Sequence, residues 1–277
     1  MDMKTWFITG VSRGLGKALA KAALEQGDIV VGTVRNGSLE PPTGLENLQL
    51  LTADLADGAA AEAAIRTAFE RLGRIDVIVN NAGYGLLGAL EQATDAEVER
   101  LFNVDFFSPF RIIRTALPHL RIQGSGHIVN ITSIAGRAPS IGSALYSSAK
   151  YALEGMSAAL ALEVRQLGIK VTAVAPGAFR TDFLDEQSIR NSASADAAYA
   201  DSIGRSLNAF AAANRKQLGN PDCAAQIILE AVNAKDPPLH LLLGSDALRR
   251  AREKLDAVIF EMDAWEERSR STDFASN

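Results

Sequence analysis

The chain has 277 residues, 47% of them hydrophobic and 22% charged, and a formal net charge of −5. Such a length suits one large α/β domain able to bury about three quarters of its unfolded surface, while the acidic balance speaks against nucleic acid or an anionic membrane as the main partner. Cys223 is the single cysteine. It excludes an intramolecular disulfide, fits a reducing, cytoplasmic compartment, and is expected to be buried or half-buried.

The first stretch, MDMKTWFITG, carries an apolar run too short for a signal-peptide core or a membrane span. Met3 to Thr9 reads as a buried first strand that runs into TGVSRGLG and then a helical KALAKAALEQG. Gly10, Gly14 and Gly16 allow a tight turn, close approach to a pyrophosphate and close helix packing, with the helix amino end facing the anion. Their spacing is Gly-x-x-x-Gly-x-Gly, not the better-known Gly-x-Gly-x-x-Gly.

Asp28 to Val34 reads as a second strand. Roughly 20 residues beyond the glycines, NAD-binding folds place an acid on the ribose hydroxyls; here Val34 and Arg35 stand there. A guanidinium at that point, with Arg13 as a second cation, would hold a ribose phosphate, so NADP(H) is the expected cofactor.

Asn36 to Glu46 is a loop by its Gly and Pro content, and LQLLTADL reads as a third strand ending at Asp54. Asp54 and Leu55 either line an adenine pocket or, for Asp54, cap the helix that begins near Gly58 and covers Ala59 to Leu72. Ile75 to Asn80 is a fourth strand opening into the small-residue turn Asn81, Ala82, Gly83. Thr94 to Leu117 has helical spacing and contains Asn103, a poor residue for a helix interior.

His127 to Thr132 is a fifth strand, and Ser133 ends it at the sheet edge where such folds bind ligands. Tyr146 and Lys150 follow, four residues apart in YSSAKYALEGMSAALALEV, hence on one helix face. An ammonium that close favours a phenolate, so the Tyr146 pKa is expected to fall towards working pH. Lys170 to Val174 is a sixth strand. Phe183 to Gly219 is too long for a plain connection and is expected to form a helical lid. Asn220 and Pro221 signal the start of a helix, Pro237 to Gly244 a seventh strand, and Asp246 to Arg268 a charged amphipathic helix, with Ser269 to Asn277 frayed. The three histidines, His119, His127 and His240, stand at no metal-ligand spacing, so no metal site is expected.

Together, TGVSRGLG, Asp54, NNAG, Asn103, Ser133, the Tyr146 and Lys150 pair and the Pro176–Gly177 dipeptide resemble the short-chain dehydrogenase/reductase family over about Lys4 to Leu243. The fold expected is α/β, a Rossmann-type doubly wound, seven-stranded parallel sheet with helices on both faces. The organisation expected is a single domain over 1–277, with a lid insertion at 184–219 and a helical extension at 245–277. The resemblance implies that Tyr146 donates the proton in ketone reduction, Ser133 holds the substrate oxygen, Lys150 binds the nicotinamide ribose, and Asn103 holds a relay water. It implies cofactor contacts from Gly10, Ser12, Arg13, Gly14, Leu15 and Gly16, from Arg35, Asp54 and Leu55, and from Asn81, Ala82 and Gly83. Further contacts are implied from Tyr146, Lys150, Pro176, Gly177 and Thr181.

The expected reaction interconverts a small-molecule ketone and a secondary alcohol in a homo-oligomer, dimer or tetramer. The alternatives are another reaction on the same scaffold, such as enoyl reduction, epimerisation or dehydration, and a non-catalytic NADP-sensing regulator. Apolar candidates Tyr84, Leu145, Ala178 and Phe183 suggest a hydrophobic, aromatic or steroid-like substrate.

Overall fold

The computed structural model describes residues 3–36, 47–185, 189–191 and 196–274. Most of the expected loop from Asn36 to Glu46, parts of the expected lid and the last three residues lie outside them. In β1 (Thr5–Ile8) the two-residue period of a strand points Trp6 and Ile8 to one side and Phe7 to the other, and all three are fully buried. The Trp6 indole N–H donates to Asp28 Oδ2 at 2.8 Å, which satisfies the one polar atom of that side chain in the core.

After β1 come α1 (Gly14–Glu25), β2 (Ile29–Val34), β3 (Leu48–Thr52), α2 (Gly58–Leu72), β4 (Val77–Asn80) and the short β5 (Gly85–Leu87). Asp57, not Asp54, caps α2, accepting the Ala59 N–H. The third strand ends at Thr52, two residues before its expected end, and Asp54 folds back to accept the Ala56 N–H. The stretch expected as one helix from Thr94 is broken. Thr94 and Glu97 form a capping box for α3 (Asp95–Phe102), a π-helical turn spans Asn103–Phe107, and α4 (Ser108–Gln123) resumes.

β6 (Gly126–Ile131), α5 (Ala144–Val164) and β7 (Ile169–Pro176) follow. The expected helical lid contains only one regular α-helix, α6 (Arg205–Ala213), among its described residues; β8 (Ile189–Asn191) instead pairs in parallel with β5. The chain continues with α7 (Pro221–Asn233), capped by the Asn220 side chain, then β9 (His240–Leu243) and α8 (Ser245–Arg270). Cys223 is exposed, against expectation, because it lies in the first turn of α7 on the side away from Ala224 and Ala225, which are buried.

The seven main strands are all parallel, in the order β3-β2-β1-β4-β6-β7-β9. This is the expected doubly wound sheet. One core layer packs α1 and α7 on Trp6, Ile8 and their neighbours; the other packs α2, α4 and α5 on Phe7, Val31 and Ile78. Chain order reverses between β1 and β4, so a crevice forms at the carboxyl ends of those strands. Among the described residues no helix is long and apolar enough to cross a membrane.

Candidate active site

A cavity of about 960 Å³ lies along those carboxyl ends. Its first end is the turn between β1 and α1, where Gly10 (φ +74°) and Gly14 (φ +58°) adopt left-handed conformations that disfavour a Cβ. Ser12, Arg13 and Leu15 line the cavity with these glycines. Gly16 does not line it. A Cβ there would sit 2.3 Å from the Gly10 carbonyl oxygen and from Asn81 Nδ2, so this glycine serves close helix packing. Arg13 occupies the N-cap position of α1 without a side-chain capping bond, which leaves the helix amino end to an anion. Arg35, Asp54 and Leu55 line the same end, with Arg100 Nη2 3.7 Å from Asp54 Oδ2.

Asn81, Ala82 and Gly83 form the middle of the wall. Asn81 is held by its Nδ2, which donates to the Thr9 carbonyl at 2.8 Å, while the Thr9 hydroxyl oxygen accepts the backbone N–H groups of Asn81 and Ala82. Pro176, Gly177 and Thr181 form the opposite wall.

The second end carries Ser133, Tyr146 and Lys150. Tyr146 is 8% exposed and lines the cavity beside Ser133, whose Oγ accepts the Ala135 N–H at 3.1 Å. Phe183 covers it, ring centroid 6.0 Å from that of Tyr146. Lys150 Nζ lies 5.8 Å from the centre of the Tyr146 ring and donates to the Ile131 carbonyl at 3.2 Å. The expected depression of the Tyr146 pKa is not met. Burial pushes it above the usual tyrosine value, outweighing the opposing pull of the nearby Lys150. The bare pattern of a lysine one turn away gave only the second of these effects; the dry environment comes from the tertiary fold.

Asn103 opens the π-helical turn. Its side-chain oxygen accepts from Arg111 Nη1 at 3.5 Å and it does not line the cavity. The group at Lys150 is Asp105, whose Oδ2 is 3.1 Å from Nζ. Nothing in the sequence pattern marked it, although an acidic residue in an otherwise apolar Asn103–Phe107 run is a visible signal.

Leu145 is not a cavity residue either; it packs against the small core of Leu86, Leu101, Ala135, Tyr146 and Ala149, whereas Tyr84, Ala178 and Phe183 do line the cavity. Buried polar ties hold α5 in register with the sheet. Asn80 Nδ2 donates to Asn130 Oδ1 and Asn130 Nδ2 to Ser157 Oγ, each at 2.8 Å, and the Thr132 hydroxyl donates to Glu154 Oε1 at 2.5 Å. Arg137 forks onto the same Glu154 at 3.1 and 2.8 Å. Two further cavity residues, Asp246 and Arg250, come from α8 and were missed by motif reading, since that helix lies beyond the recognised pattern.

The family model for short chain dehydrogenase matches residues 4–191. The chain belongs to the short-chain dehydrogenase/reductase family. It is thus an oxidoreductase of that family. It is 38% identical over 244 residues to the 3-ketodihydrosphingosine reductase of Bacteroides thetaiotaomicron, covering 88% of this chain and 89% of that protein. A short-chain dehydrogenase of Streptomyces avermitilis superposes with a TM-score of 0.89 at 38% identity, covering 99% of this chain and 100% of that one. ElxO, solved with NADP bound, superposes with a TM-score of 0.74 at 28% identity, covering 90% of this chain and 100% of that one. In this chain the Gly10–Gly14 end and the Ser133–Tyr146–Lys150 end belong to one continuous cavity.

Proposed function

We propose that this short-chain dehydrogenase interconverts a hydrophobic ketone and its secondary alcohol with NADP(H). The observation that carries the reading is that Ser133, Tyr146 and Lys150 line one end of a cavity whose other end lies at the amino terminus of α1. Those residues fit a dinucleotide. Gly10 and Gly14 cradle the backbone side, and Arg13 and Arg35 both line the rim where a ribose phosphate would lie. When bound, the reduced nicotinamide supplies a hydride to the carbonyl carbon.

The protein's own groups do the rest. The Tyr146 hydroxyl gives its proton to the carbonyl oxygen, and the Ser133 hydroxyl donates to the same oxygen and stabilises its developing charge. A tyrosine kept protonated by burial is a ready acid for reduction, whereas oxidation needs the phenolate and therefore a higher pH. Gly83 and Ala82 would hold the flat ring system, with Thr181 lining the same cavity.

The substrate end is lined by Leu87, Phe183, Ile189, Ala209 and Phe210, which suits an apolar body, aromatic or steroid-like. The name of the Bacteroides relative adds a keto group on a long chain to the candidates. The chain is read as one domain with a substrate-lid insertion at 184–219 and a helical extension at 245–277, acting in the cytoplasm as a dimer or tetramer. Consumption of NADPH and of NADH is to be followed with a panel of aromatic, steroidal and long-chain ketones, enoyl thioesters and nucleotide sugars. Turnover of ketones with NADPH is the expected result; turnover confined to enoyl thioesters or sugars would overturn it.

A further inference from the structure

Asp105 is 0% exposed, inside the π-helical turn between α3 and α4. Its Oδ1 accepts the Tyr84 N–H at 3.1 Å, and its Oδ2 faces Lys150 Nζ at 3.1 Å with no other partner among the described residues. Lys150 is itself 4% exposed. A carboxylate and an ammonium thus meet in a dry pocket directly behind the tyrosine. The loop over them is closely fitted, for a Cβ on Gly83 would lie 3.0 Å from Asp105 Oδ2 and 3.2 Å from Lys150 Nζ.

We propose that Asp105 is a positioning residue which keeps the Lys150 ammonium charged and fixed beside Tyr146. The inference rests on the reading of Tyr146 as the proton donor. An ammonium has three N–H bonds; Ile131 O accepts one, and the Asp105 carboxylate lies 3.1 Å away as the ion-pair partner of the charge. Without Asp105 the ammonium would be a buried charge with only a neutral carbonyl to hold it. The π turn is the local cause of the placement, because the extra residue in the turn breaks the run between α3 and α4 at this point.

The charged and titratable groups around the pair are few. On α5 they are Tyr146, Lys150 and Glu154, the last already paired with Arg137. Beyond β4 there is Tyr84, with Arg100, Glu97 and Arg190 near it. Of these, Asp105 is the nearest anion to Lys150. It raises the proton affinity of both Lys150 and Tyr146, so its removal moves both in the same direction, and the pair titrates together.

The test is Asp105→Asn, which keeps the shape and removes the charge. In ketone reduction with NADPH, the pH at which kcat is lost on the alkaline side should fall by about one unit or more. Asp105→Glu should return it towards the wild-type position. A lower kcat with an unmoved alkaline limb would mean packing alone and would overturn the proposal. Thermal unfolding gives a readout independent of turnover. The wild-type cluster binds its protons more tightly, so the gap in Tm between wild type and Asp105→Asn should narrow as pH rises from 7 to 10; a constant gap would count against the role. Should wild type reduce no carbonyl, the reading of the site fails, while the Tm comparison still decides Asp105. Should Asp105→Asn fail to fold, the Asp105→Asn/Lys150→Met double variant should fold again, because the stranded charge is gone, and failure to do so would overturn the proposal.

Discussion

Asp246 Oδ2 accepts the backbone N–H of Ala178 at 2.9 Å, which ties the first turn of α8 to the loop that leaves β7. A Cβ on Gly177 would fall 2.2 Å from Asp246 Oδ1, so the approach depends on a glycine. Four residues on, Arg250 donates to the Ala138 carbonyl and, at 2.8 Å, to Ser140 Oγ. One helical turn therefore fastens loops on both sides of the site. Asp246→Ala removes a charge-assisted bond of about 1.5–3 kcal/mol, so NADPH affinity is expected to weaken by roughly tenfold, with a lower Tm. Asp246→Asn should keep much of both. Fluorescence titration with NADPH checks this, and unchanged affinity in Asp246→Ala would disconnect α8 from the site.

Tyr146→Phe removes the proton and leaves the ring against Phe183. A general acid contributes roughly 10²–10⁴ in rate, so kcat for ketone reduction should drop by that order while NADPH binding is largely kept. In wild type the raised pKa of Tyr146 has a directional consequence. Reduction should hold its rate from neutral pH into the alkaline range, and alcohol oxidation should gain with pH over the same range. Stopped-flow measurement of both directions decides it.

Arg35 is exposed and lines the cavity at its Gly10–Gly14 end. Arg35→Asp replaces an attraction for a ribose phosphate with a repulsion, and one charge-assisted contact is worth about 1.5–3 kcal/mol. The ratio of kcat/KM for NADPH to that for NADH should fall by at least about tenfold. A ratio that does not move would show that the phosphate lies elsewhere.

His127 bears on stability, not catalysis. It is buried, with its ring nitrogen Nε2 2.9 Å from Thr172 Oγ1, and burial pushes its pKa down to about 4 from an ordinary 6.5. The unfolded chain therefore takes up a proton first as pH falls, and stability is lost from about pH 6.5 down to about 4 by roughly 3 kcal/mol. His127→Leu lacks this contribution. Its Tm should improve relative to wild type as pH drops from 7 to 4.5; a pH-independent difference would refute the assignment.

Strand and helix periodicity in the residues sufficed to place the parallel sheet, because a two-residue period and buried apolar runs report local geometry. Gly10 and Gly14, Ser133, and the Tyr146–Lys150 spacing were legible for the same reason: each acts through a turn, a strand end or one helix face. What only the folded chain decided is the surroundings of those groups. Asp105 meets Lys150 from 45 positions away in sequence terms, across a π turn that interrupts what reads as one continuous helix, and β8 joins β5 where only a helical lid was expected. The Tyr146 pKa rises instead of falling because dehydration is a property of packing. Burial and long-range charge are summed over the whole fold, and no window of sequence contains that sum.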